Sequence, residues 1–124
     1  MSISRRDQFE HENKTWELLL DFFKQQNIFL KNRLSVVVDS EEDKEFLKHA
    51  EYFQNQFILK DDFINDLLKD INSHKRNLKV SVEENLNYKI ARKQEKLRNE
   101  ISNLEKDISN LKNEFNKLIE HFLV

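Results

Sequence analysis

The sequence predicts an all-α protein: an antiparallel up-down-up three-helix bundle with coiled-coil (heptad) packing. Three observations predict it. The chain of 124 residues has no Gly and no Pro, the residues that punctuate hairpins and tight turns. Charged residues make up 35% and apolar residues 38%, a balance that suits amphipathic helices and is too apolar for simple disorder. Apolar residues recur at alternating steps of four and three, in three segments of similar length.

The first segment runs through Phe9, Asn13, Trp16, Leu20, Phe23, Asn27, Leu30, Leu34 and Val37 without a slip. "VVVDSEED" follows. Ser40 with Asp43 is a weaker relative of the capping box, and acids crowd the first turn, where the helix dipole favours them. The second segment holds Phe46, Ala50, Phe53, Phe57, Lys60, Ile64, Leu67, Ile71, His74 and Leu78. Ser81 with Glu84 is a Ser-x-x-Glu capping box, which predicts a third helix from about Val82. Its seam is Asn87, Ile90, Gln94, Leu97, Ile101, Leu104, Ile108, Leu111, Phe115, Leu118 and Phe122. The near-repeat "ISNLEKDISNL" belongs to two consecutive heptads of this seam. Of 30 seam positions only six are polar, too few for chance.

The expected organisation is one domain, 1–124, with helices at about 5–38, 41–78 and 82–123. The joints at Asp39–Ser40 and Lys79–Ser81 are short, which forces antiparallel neighbours. Residues of helices 1 and 2 at one height then sum to about 79, and those of helices 2 and 3 to about 160. That ruler sets Asn13 level with Gln94 as a polar layer, Lys60 level with Glu100, and Asn27 level with Ile108 and Tyr52–Phe53. The plan resembles spectrin-like repeats, also long antiparallel three-helix units. The likeness is one of architecture and implies no function.

Composition and motifs disfavour catalysis. There is no Cys, hence no disulfide or thiolate ligand set. No Gly-rich loop or nucleophile elbow is present. The residues three before His11, His49, His74 and His121 are Gln8, Phe46, Ile71 and Leu118, so the Glu-x-x-His pairs of di-iron bundles are missing. The ruler also separates His49 from His121 by about 15 Å. No catalytic residue, metal, cofactor or small-molecule substrate is inferred. No run approaches the ~20 apolar residues of a membrane span, no secretory leader is recognisable, and the chain is read as cytoplasmic.

Two surfaces carry functional expectations. With Trp16 at heptad position d, helix 1 bears surplus apolar residues: Leu18, Leu19, Ile28 and, seven apart on position c, Phe22, Phe29 and Val36. Helix 2 adds Tyr52 and Leu59 on c and Phe63 on g. If helices 1 and 2 meet along their g edges, both c rows border one groove, with Phe22 near Leu59 and Phe29 near Tyr52. Such a stripe is too large to leave bare. A homodimer is the first expectation; the alternatives are that the helices tilt and bury the stripe within one chain, or that a helix of another protein covers it. The alternative surface is basic. Residues 39–70 carry ten acids against four lysines. The other end gathers Arg5, Arg6, Lys75, Arg76, Lys79, Lys89, Arg92 and Lys93, a candidate contact for nucleic acid or an anionic surface. Interleaved acids and a pI near 6.1 disfavour nucleic acid.

Overall fold

The computed structural model describes residues 4–81 and 87–123. It is all-helical: α1 spans Arg5–Ser40, α2 Lys44–Val80 and α3 Tyr88–Leu123, and no strand occurs among the described residues. Each helix has 36 or 37 residues and reaches roughly 55 Å. None is long and apolar enough to cross a membrane.

Polar side chains end and begin the helices. Ser4 Oγ accepts the Asp7 amide at 3.0 Å to open α1. Ser40, expected to start the second helix, instead belongs to α1, and its hydroxyl donates back to the Val37 carbonyl at 3.1 Å. Asp43 takes the N-cap of α2, its carboxylate accepting from the amides of Glu45 and Phe46 at 2.8 and 3.2 Å. At the second joint the Ser81 hydroxyl donates to the Leu78 carbonyl and so closes α2. Glu84, the other half of the expected capping box, lies outside the described residues. Asn87 was expected inside the seam. It is exposed, and its side chain accepts the Ile90 amide at 3.0 Å at the described start of α3.

The buried residues follow the four-three spacing. Every buried side chain among the described residues lies on the seam, except Ile119. Three apolar clusters stack along the bundle. Phe9, Leu78 and Ile90 form the first. Trp16, Leu20, Ile64, Ile71, Leu97 and Leu104 belong to the middle one. Leu34, Phe46, Phe57, Phe115 and Ile119 belong to the last.

Polar layers separate these clusters. Between the first two, Gln94 Nε2 donates to Asn13 Oδ1 at 2.9 Å and Gln94 Oε1 meets His74 Nε2 at 2.6 Å. Asn13, Gln94 and His74 are all buried. Between the second and third, Asn27 Nδ2 donates to the Phe57 carbonyl at 2.7 Å and to Asp61 Oδ1 at 2.6 Å.

These contacts correct the expected heights. Asn27 meets Phe57 and Asp61, not Tyr52. Glu100 pairs with Lys96 on its own helix, not with Lys60. Phe53 meets Phe115 and Phe46 meets Phe122 edge to face, each with centroids 5.5 Å apart. The α1–α2 and α2–α3 level sums are therefore each larger by about eight. The cause is turning-point position. α2 starts at Lys44 and α3 is described from Tyr88, both later than expected, and each residue by which a turning point moves counts twice in a sum. The two errors cancel between α1 and α3, so Asn13 still meets Gln94.

Candidate interaction surfaces

The edges along which the helices meet decide which grooves the surplus apolar residues border. Between α1 and α2, Lys75 Nζ lies 2.7 Å from Glu17 Oε1 and Lys31 bonds Asp61. All four occupy position e. An apolar dent between these helices is lined by Lys31, Leu34, Ser35, Val38, Gln54 and Ile58, positions a, b and e. The α1–α2 contact thus runs along e edges, not the expected g edges. The g edges face α3. Glu12 of α1 is bonded by Arg98 at 2.7 and 2.8 Å, and Asp70 of α2 by Lys93 at 3.2 Å.

Position c lies beside g on a helical wheel. The c row of α1 therefore flanks the α1–α3 groove, and that of α2 flanks the α2–α3 groove. The single shared groove expected from the sequence is not formed. A seam of a and d positions leaves e and g equally free to meet a neighbour, so it does not decide which way the third helix turns. The matching signs of Glu17 with Lys75 and Lys31 with Asp61 were the available signal.

All seven expected interface residues are exposed. On α1, Leu18, Phe22, Phe29 and Val36 keep between 54% and 69% of their surface. On α2, Tyr52, Leu59 and Phe63 keep between 46% and 56%. Within each helix they form one row, and the structure does not join the two rows. Ile58 and Leu47 are further exposed apolar residues of α2; they sit on b and e, off the c row. Leu19 is instead half-buried against the middle cluster. On α3 the one large exposed apolar residue among the described is Tyr88.

The basic end is partly occupied by internal contacts. Arg6 donates to the Lys79 and Ser81 carbonyls and so caps the end of α2. It also pairs with Glu10. Lys75 is held by Glu17 and Lys93 by Asp70. Arg5 lies 5.3 Å from the centre of the Phe9 ring and Arg92 5.4 Å from that of Tyr88. Arg76, Lys79 and Lys89 are exposed. The Arg98 guanidinium holds the Glu12 carboxylate below its ordinary value. Burial opposes this shift, and the Gln94 amide adds to it. The same bond raises Arg98.

His49 and His121 are not separated in height as expected. Both rings pack on Phe122, with centroids 6.2 and 4.8 Å away. Asp43, Glu45, Glu114 and Lys117 line the same groove. Among the described residues no three His, Asp or Glu side chains are grouped to hold a metal ion. No protein family, no characterised protein and no solved structure matches the chain.

Proposed function

We propose that this chain is a non-enzymatic interaction or scaffold protein that self-associates through the exposed apolar residues of α1 and α2. The observation that carries the reading is their asymmetric placement. Seven large apolar side chains on two helices stay about half exposed or more, while the described surface of α3 offers Tyr88 alone. A few hundred Å² is the usual limit for a contiguous apolar patch on a soluble monomer, and larger ones mark interfaces. The proposal includes heptad, knobs-into-holes packing of the bundle on a spectrin-repeat-like plan, and a cytoplasmic place of action. A second copy is the favoured occupant because closed two-fold dimers are the commonest assemblies.

Light scattering at two concentrations tests the reading, on wild type and on Phe29→Glu and Leu59→Glu variants. The expected result is a mass above that of one chain for wild type and a lower mass for at least one variant. A folded wild type that stays a single chain throughout contradicts it.

A further inference from the structure

We infer that the outer face of α1 is a second heptad seam that pairs with α1 of another copy, antiparallel, about a two-fold axis near Gln25. The inference rests on the self-association just proposed and narrows it to one helix and one orientation. Leu18, Phe22, Gln25, Phe29, Asn32 and Val36 succeed one another at steps of four and three on positions f and c, and all six are exposed. This is the spacing of a helix-binding seam, on the side of α1 away from its own core. Its four apolar members expose on the order of 450 Å², over half of the ~800 Å² that each partner contributes to a standard interface.

Charge argues that the occupant is a second copy. From Thr15 to Val36, the exposed residues of α1 include two charges, Asp21 and Arg33, in a chain that is 35% charged. A two-fold axis sets a face against itself, so a face of one sign repels its copy, whereas this one is neutral and charge-poor. The exposed α2 residues near Leu59 include Glu51, Asp62 and Asp66, which a two-fold contact would set against themselves.

The polarity of the rod fixes the direction. α1 begins at Arg5, in a groove whose charged lining is Arg92, Arg98 and one acid, Glu95, and ends just before the acidic turn Glu41–Glu45. Parallel pairing sets acid on acid. Antiparallel pairing with Phe22 beside Phe29 of the second copy lays the acidic turn next to Arg5 of that copy. Gln25 then approaches Gln25 across the axis, and Thr15 faces Val36.

The absence of native Cys permits a direct test on the full chain. Gln25→Cys and Val36→Cys are made singly and oxidised with oxidised glutathione, and mass is measured in parallel by sedimentation. Gln25→Cys is expected to form a disulfide-linked dimer. Val36→Cys is expected not to, because the two positions lie roughly 30 Å apart across the axis. Mixing Thr15→Cys with Val36→Cys restores the link. Phe22→Glu is expected to raise the dimer dissociation constant by roughly thirtyfold or more with helicity unchanged. Efficient linking of both single variants overturns the antiparallel pairing. Linking of neither, with the mass still that of two chains, removes the α1 seam but leaves self-association standing. A chain that remains single at all concentrations removes both, leaving the face to a helix of another protein.

Discussion

At the scale of residues, the Gln94 layer is where the core is most exacting. The Gln94 amide serves Asn13, Glu12 and His74 at once. Removing it strands buried polar groups, each worth ~1–3 kcal/mol. Gln94→Ala is therefore expected to destabilise the fold by about 3 kcal/mol, read from urea unfolding. Replacing Asn13, His74 and Gln94 together by Leu is expected to be close to neutral or stabilising, since no orphan remains. The Glu12–Arg98 pair adds a pH dependence. The Glu12 value is depressed in the fold by Arg98, so its contribution is present above the ordinary 4.5 and is lost as pH falls through the lower folded value. Glu12→Gln is expected to be less stable than wild type at about pH 7, with the gap closing as acid protonates Glu12 in the folded chain. A gap that widens in acid would contradict this assignment.

At the scale of elements, caps set the ends and edges set the neighbours. Asp43 holds two amides of the first turn of α2. Asp43→Ala is expected to lower stability by about 1 kcal/mol, whereas Ser40→Ala, outside that cap, is expected to change little. Most of the core is legible in the sequence, because burial in a bundle repeats with the helix and the heptad follows it directly. The helix ends were legible only to within a few residues. Ser40 and Ser81 both sit where a helix begins or ends, and a hydroxyl serves either end: here both donate backwards to carbonyls of the helix they close. Those few residues doubled into an error of about eight in every antiparallel height. The polar layer at Asn13 and Gln94 survived because parallel neighbours do not feel the doubling.

At the scale of the whole molecule, the exposed apolar residues were legible one by one, but their grouping was not. Phe22, Phe29 and Val36 recur by sevens in the sequence, and their exposure follows from position c. Whether they share a groove with Tyr52 and Leu59 depends on which edge of α1 meets α2, a property of how the third helix turns. The long-range charge division suits association: the acidic turn at Glu41–Glu45 and the basic start at Arg5 lie at opposite ends of the rod. Because such end contacts are exposed, raising salt from about 0.05 to about 0.5 M is expected to weaken self-association without unfolding the chain. The most direct measurement of the central claim is the mass of the intact chain by sedimentation equilibrium across a wide concentration range. Wild type is expected to rise reversibly to two chains. The double variant Phe22→Glu, Phe29→Glu is expected to remain one chain at unchanged helix content. A helical wild type that sediments as one chain at every concentration would contradict it.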